Sequence, residues 1–379
     1  MKSTAAAVIG LAVAAVAGAV GCTNAEEADG DSTASAAVTQ ESSTTERGEK
    51  LFFKETFKGN GRTCGTCHSE ETGTISPADV VQRLHCDPKD PLFKHDAADT
   101  IGGKTFERLK KHATIIVDVP MHANVSLVGS TSRTVQLNRG IPTTMNIGLD
   151  PVLMLDGRAP TLEAQARGAI LGHAQSSNVT DRQLADIAAF EKTLFNRKAL
   201  KQFARGGAAP SLPEGTTEAQ KRGRVFFTDD FVQVNNGTAF RCVHCHSGPM
   251  LNQTSQAFQV VFGGPPQGTR FLSIRVAEFN TIGNPVREYD FKAPDGTTQR
   301  VAITDPGRAL VTGNLADVGA FKIPTVWGAK NTAPYFHNNA AKNLAELVKH
   351  YQILAPNIAP PLAFTDAHAA DMLAYLELL

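Results

Sequence analysis

The chain of 379 residues has no net charge: 37 Lys and Arg are matched by 37 Asp and Glu. No basic face able to gather phosphates is written into it, so nucleic acid is excluded as a partner. Long apolar runs are missing after the first twenty or so residues, and no membrane-spanning helix is expected beyond them. Cysteine is scarce, six in all, which makes the position of each one informative.

Four of the six stand in two copies of one pattern, Cys64-Gly65-Thr66-Cys67-His68 and Cys242-Val243-His244-Cys245-His246. At this spacing two thiols add to the vinyl groups of a haem, and the adjacent His is placed to bind the iron from the proximal side. The competing readings are a zinc site, a redox dithiol and chance. One shared zinc would have to draw together motifs 178 residues apart (64 to 242), whereas structural zinc pairs normally sit close in sequence. A redox Cys-x-x-Cys opens a helix at the end of a strand, but here Arg62-Thr63 and Phe240-Arg241 lead out of Gly- and Asn-rich loops. Two covalently bound haem c groups follow, with His68 and His246 as proximal iron ligands.

The start of the chain gives the compartment. Lys2, an apolar stretch from Ala5 to Val20 and then Gly21-Cys22 resemble a bacterial lipoprotein signal, residues 1–21, with the membrane lipid carried on Cys22; the alternative is an ordinary cleaved signal. Either places the protein in the periplasm. Residues 22–45, mostly Ala, Ser, Thr, Glu and Asp, offer little to bury and are expected to form a disordered tether. Cys86 is then left alone, as a buried inert thiol or a reactive one.

The remainder, about 330 residues, is long enough for two domains, and it repeats itself. Arg47-Gly48 leads to Phe52-Phe53 before the first motif, and Arg222-Gly223 leads to Phe226-Phe227 before the second. Thr180-Asp181 and Thr365-Asp366 each open a segment with an N-cap, in which Asp186 matches Asp371 and Ile187, Phe190 and Leu194 match Met372, Tyr375 and Leu379. The expected fold is all-α: two tandem cytochrome c-like domains, 46–205 and 206–379, each around one haem, with little β structure. The Gly206–Pro213 stretch is the expected linker.

Between these landmarks lie Arg139-Gly140-Ile141-Pro142-Thr143-Thr144-Met145-Asn146, Leu155-Asp156-Gly157-Arg158-Ala159-Pro160-Thr161-Leu162-Glu163-Ala164-Gln165-Ala166, Phe321-Lys322-Ile323-Pro324-Thr325-Val326 and Ala333-Pro334-Tyr335-Phe336-His337-Asn338. From Arg47 to the C-terminus the chain resembles the bacterial di-haem cytochrome c peroxidase and MauG superfamily. The resemblance implies that hydrogen peroxide is cleaved at the N-terminal haem, on His68. The C-terminal haem, on His246, would receive electrons from a small cytochrome c or copper protein. It also implies a calcium ion held by the carbonyls of Thr304 and Pro306, and a homodimer is compatible with it. A haem with a displaceable sixth ligand can take peroxide, whereas two strong ligands favour electron transfer alone.

Three departures from the family pattern stand out. Ala164 replaces an acidic residue, leaving Glu163, Gln165, Arg158 and, eight residues beyond Gln165, His173 as candidate catalytic groups. Leu155 replaces an aromatic that lies between the haems. Gly319 stands where a Met ligand of the second iron is often found, with Met250 and Met372 as poor substitutes and a lower potential expected for that haem. His85, His95, His112 and His122 are candidates for a distal ligand of the first iron. The insertion 69–136, with a helix-like Thr105–Ala113 and a β-branched run Thr114–Val119, reads as a small hairpin or lid, or as surface elaboration. Three functions are compatible: a peroxidase, a MauG-like oxidase of a protein or organic substrate, and a non-enzymatic electron-transfer module. The first is the reading adopted.

Overall fold

The computed structural model describes residues 36–228, 241–279, 282–357 and 363–379; the leader, Cys22 and the tether up to residue 35 lie outside them. The described helices are α1 (Ala36–Lys54), α2 (Pro77–Cys86), α3 (Glu107–His112), α4 (Leu162–Gly172), α5 (Asp181–Glu191) and α6 (Lys198–Ala204), then α7 (Glu218–Arg224), α8 (Gln256–Phe262), α9 (Val276–Phe279), α10 (Ala309–Thr312), α11 (Leu344–Leu354) and α12 (Asp366–Leu376). The strands are β1 (Thr114–Pro120), β2 (Val125–Leu127), β3 (Thr134–Gly140), β4 (Phe271–Leu272), β5 (Arg287–Lys292), β6 (Thr298–Ile303) and β7 (Phe321–Lys322).

The duplicated helices pair as their sequences require. Thr180 and Thr365 cap α5 and α12 with capping boxes completed by Gln183 and His368. α1 crosses α5, and α7 crosses α12. At each crossing a glycine lets the backbones touch. A methyl on Gly48 would lie 2.8 Å from Phe190 Cβ, and one on Gly223 would lie 2.6 Å from Tyr375 Cβ. Beside each glycine an arginine makes a two-pronged ion pair with the partner helix. Arg47 meets Asp186 at 2.9 and 3.2 Å, and Arg222 meets Asp371 at 2.7 Å through both nitrogens. Aromatic rings finish the joint: Phe52 and Phe53 against Phe190, Phe227 against Tyr375.

Two expectations are corrected. α1 begins at Ala36, so residues 36–45 are helical and do not belong to a tether. Half of them are Ser or Thr, so the helix here depends on the later turns that dock on α5, and Arg47 bonds back to Ser43 and Thr44. The fold is mostly helical but not all-α: the strands form three antiparallel sheets, β1-β3, β2-β5-β6 and β4-β7. The insertion contains the expected hairpin, and Ile115 and Val117 of β1 line the cavity of the first Cys-x-x-Cys-His motif. β1 and β3 pair from Thr114↔Gly140 to Pro120↔Thr134, and β2 joins β5 of the C-terminal half through Val125↔Phe291 and Leu127↔Tyr289. Beneath that sheet Val119, Val125 and Leu137 pack with Tyr289, Phe291, Ile303 and Leu310 in one fully buried cluster. Burial of this kind stabilises by about 25 cal/mol per Å² of apolar surface, and here it joins both halves. Cys86 ends α2 in an exposed position, so it is not the buried thiol that was one of the two expectations.

Candidate active site: two cavities on either side of one wall

Each Cys-x-x-Cys-His segment opens with a short 3-10 turn, Cys64–Thr66 and Cys242–His244. The turn turns both thiols and the imidazole toward one cavity. Cys64, Cys67 and His68 line the first cavity, and Cys242, Cys245 and His246 line the second. None of the four thiols is in a disulfide. Burial, reinforced by the Glu191 and Cys67 charges, pushes the Cys64 thiol up to about 12, and burial does the same to Cys245. The thiols are therefore neutral and face apolar walls.

His68 Nδ1 lies 2.7 Å from the Gly73 carbonyl and His246 Nδ1 lies 2.9 Å from the Leu251 carbonyl. A carbonyl only accepts, so Nδ1 carries the proton in both rings and Nε2 keeps its lone pair. The Pro324 carbonyl also reaches the His246 ring. Two neutral thiols and a basic imidazole nitrogen on one apolar cavity form the donor set that covalent haem needs, and the residues present fit it twice. Among the described residues no cluster of three or more His, Cys, Asp or Glu stands ready for a bare metal ion.

The cavities share a wall. Gly140, Ile141, Pro142 and Leu155 line both, so the residue expected between the haems does lie there, as an aliphatic side chain. Next to the wall is a buried ion cluster, two members of which, Arg139 and Arg158, line the first cavity. Arg139 bonds Asp156 at 2.5 Å and Asp305 at 2.8 and 2.9 Å. Arg158 holds both oxygens of Asp156 at 2.9 Å. Burial opposes ionisation of Asp156 and Asp305, yet the Arg139 charge overrides it and both stay below the usual carboxylate range. Phe321 lies under the Arg139 guanidinium and stacks on His337 at 3.9 Å. Burial lowers His337 to about 4, and its Nε2 has no hydrogen-bond partner.

The two cavities differ in chemistry. Into the first, α4 turns Gln165, Ala166, Ala169 and Ile170, with His173 at its C-cap. His173 Nδ1 bonds Asp96 at 2.5 Å, and Asp96 is itself paired with the buried Arg62. Although burial pushes Asp96 up, His173 and Arg62 together bring it below the ordinary carboxylate value. This ties the ring's orientation to the segment just before the first motif. Arg158 and Gln165 also line this cavity, as expected, but Glu163 does not. Ala164 is exposed on α4 and does not line the cavity. Of the titratable groups, Glu191 was not anticipated: it lines the cavity while 3 % exposed. It stands seven residues after Leu184 and four after Ile187, a charged residue on an apolar helix face, which is the signal that could have found it. Asp96 left no comparable trace in sequence. His85, His95, His112 and His122 do not line the first cavity.

The second cavity is walled by Phe227, Phe321, Ile323, Tyr351, Met372 and Leu376. Its carboxylate, Asp150, is paired with Arg270 at 2.6 Å and Lys322 at 3.1 Å. Met372 Sδ lies 2.9 Å from Cys242 Sγ, at one of the attachment thiols. Met250 is buried in the core and does not line the cavity. Gly319 lines it with φ +70° and no side chain to offer. His244 is buried and stacks on Phe258 at 5.5 Å, away from the thiols' cavity. At the calcium position inferred from the family, the Thr304 and Pro306 carbonyls flank the buried carboxylate of Asp305. The Pro306 carbonyl accepts from Gly319 N–H at 3.0 Å, the Thr304 hydroxyl donates to Ala277, and the Asp305 carboxylate is bound to Arg139.

Residues 42–203 match the family model described as di-haem cytochrome c peroxidase. The cytochrome-c peroxidase IdrP1 of Pseudomonas sp. (strain SCT) is 28% identical over 199 residues, which is 51% of this chain and 48% of that protein. The cytochrome c551 peroxidase of Nitrosomonas europaea is 24% identical over 249 residues, 60% of this chain and 64% of that one. The matched stretch thus spans about half to two thirds of these relatives' length. Among solved structures, a MauG-like protein associated with microbial copper homeostasis has a TM-score of 0.48 at 19% identity, covering 88% of this chain and 87% of its own. The diheme peroxidase BthA from Burkholderia thailandensis has a TM-score of 0.45 at 14% identity, covering 88% and 85%.

Proposed function

We propose that this chain, a member of the di-haem cytochrome c peroxidase family by its residues 42–203, reduces hydrogen peroxide to water in the periplasm with electrons from a small reduced cytochrome c or copper protein. The observation that carries the reading is the asymmetry of the two cavities. Both have the thiol and imidazole set for covalent haem, but the first adds a buried carboxyl with no basic partner, Glu191, beside an imidazole oriented by Asp96, His173, whereas the second holds His337 stacked flat on Phe321. The carboxylate of the second is neutralised by Arg270 and Lys322.

Cys64 and Cys67 would hold one haem with His68 on its iron, and Cys242 and Cys245 the other with His246. When bound, the haems supply iron that exchanges electrons singly and, at the first site, accepts a peroxide oxygen. The protein's own part is the rest. The Gly73 and Leu251 carbonyls fix the proximal rings, Asp96 orients His173, and Arg158 and Gln165 present hydrogen-bond donors to the first cavity. The second cavity is lined mainly by apolar side chains, with its Asp150 neutralised by Arg270 and Lys322, and suits outer-sphere transfer. Calcium has no step here. Export with lipid on Cys22 is part of the reading and is supported by the leader pattern alone; a Cys22→Ser variant is expected to leave the membrane fraction.

The test uses the half-reduced two-haem protein mixed with peroxide and a reduced small cytochrome. Donor oxidation well above that given by free haem is expected. No oxidation above that level refutes the peroxidase reading, and oxidation of an organic or protein substrate in its place would establish the oxidase.

A further inference from the structure

The first cavity contains a carboxyl that the packing does not call for. Glu191 ends α5 on the helix face that Leu184 and Ile187 bury against Phe52, Phe57 and Ile170, where an aliphatic side chain would complete the cluster. It is 3 % exposed, its Oε2 has no hydrogen-bond partner, and it lines the cavity with Cys64, His68 and Gln165. An unpaired buried carboxyl is costly to keep. Its presence points to a use.

We propose that Glu191 is the group that accepts and returns the proton of the molecule taken up in the first cavity. This rests on the reading of that cavity as the peroxide site. Glu163 and Ala164 on α4 cannot serve, since neither lines the cavity. His173 can exchange protons with water, because its side chain is 26 % exposed and its Nδ1 is held by Asp96; Glu191 is sealed from it. As peroxide enters, the Glu191 carboxylate takes one of its protons. The protonated carboxyl gives that proton to the outer oxygen as the O–O bond breaks, and this oxygen leaves as water. The second oxygen leaves as water after two electrons from two reduced donor proteins and two protons from solvent have been taken up. The sum is one peroxide, two electrons and two protons to two waters. Burial, with the Glu163 charge added, pushes the Glu191 carboxyl up to about 8, so both of its forms are within reach near neutrality, as such a relay requires.

Cyanide provides a measurement independent of peroxide turnover: it arrives as HCN and binds as the anion, so a nearby group must accept its proton. Cyanide association with the oxidised two-haem protein and donor oxidation by peroxide are measured for wild type, Glu191→Gln and Glu191→Leu. Gln keeps the shape, and Leu supplies the aliphatic side chain that the cluster lacks. Both variants are expected to load two haems with unchanged spectra. Cyanide association should slow by about tenfold or more, and kcat/KM for peroxide should fall by about 10²–10⁴-fold with the donor's KM unchanged. Cyanide association within about threefold of wild type in both variants overturns the proposal, because loss of general acid/base help should cost far more. If wild type oxidises no donor while cyanide association still depends on Glu191, the peroxidase reading falls and the proton acceptor stands. If neither variant takes up the first haem, the carboxyl serves assembly and the proposal falls.

Discussion

Adding one methyl group at three different glycines should separate the helix crossings from ordinary helix propensity. At Gly48 and Gly223 the added carbon would sit 2.8 and 2.6 Å from the Cβ of Phe190 and Tyr375, and closer still to the carbonyl oxygens of Asp186 and Asp371. Non-bonded carbons rest at about 3.5–4.0 Å, and these neighbours are helix backbone, so the helices must part by roughly an ångström. Overpacking of this kind costs about 1–3 kcal/mol, with backbone clashes at the upper end or beyond. Against it stands a gain of about 1 kcal/mol from replacing Gly by Ala inside a helix. The ion pairs of Arg47 and Arg222 add little, because solvent screens them. A net loss of about 2 kcal/mol at each crossing should lower the melting temperature by about 4–8 °C. Gly168, inside α4, has nothing within 4 Å of its would-be methyl; Gly168→Ala should raise the melting temperature by a few degrees, since it keeps only the propensity gain of about 1 kcal/mol. Thermal melts followed by far-ultraviolet circular dichroism, with both haems attached, decide it. Unchanged melting of Gly48→Ala and Gly223→Ala, or equal destabilisation by Gly168→Ala, would refute the reasoning. The crossings share no residues, so the double variant should show the sum to within about 0.5 kcal/mol.

Arg139→Leu should destabilise by about 3–5 kcal/mol in urea titrations, because it leaves Asp156 and Asp305 buried without their shared counter-charge; Arg139→Lys should recover part of the loss. Asp96, Asp156 and Asp305 are held below 3.8 in the fold, so their contribution is full above that value and disappears as pH falls through the lower folded values. Melting temperature should therefore fall steeply only below about pH 4, and a steady decline from pH 7 would count against the cluster. Glu191 has the opposite sign: raised from 4.5 to about 8, it costs nothing below 4.5 and a growing amount as pH rises toward 8. At pH 7 the cost is about 2.5 units at 1.36 kcal/mol each, on the order of 3 kcal/mol. Glu191→Leu should thus stabilise the fold at pH 7 but not at pH 4, while impairing chemistry; equal stability at both pH values would show that the carboxyl is not sealed.

What could be read from sequence was local. The Cys-x-x-Cys-His spacing, the Thr N-caps of α5 and α12 and the repeated Arg-Gly steps are each written within a few residues, whereas the ion pairs of Arg47 with Asp186 and Arg222 with Asp371, 139 and 149 residues apart, emerge only in the fold. The β2-β5 pairing was not legible, because Val125-Ser126-Leu127 is too short to show alternation and its partner lies over 160 residues away (125 to 291). Ala164, where the resemblance leads one to expect an acid, is exposed on α4 and does not line the cavity. The acid that does line the cavity belongs to another helix, and its identity emerges only when α5 is seen to turn Glu191 inward with Ile187. Leu155, by contrast, was placed rightly between the cavities because the flanking Asp156-Gly157-Arg158 motif fixes its position.

The strand Val125–Leu127 also bears on how a duplicated protein ages. Two copies of a haem-binding module begin as separable units, each able to be cut out, swapped or expressed by itself. Once the first copy lent β2 to the sheet of the second, and Val119, Val125 and Leu137 came to share a core with Tyr289 and Phe291, that independence was given up. A fragment ending near residue 205 would carry a strand edge and an apolar face with no counterpart, inviting self-association. Exchange of whole halves between homologues should fail unless β2 and β5 are exchanged together.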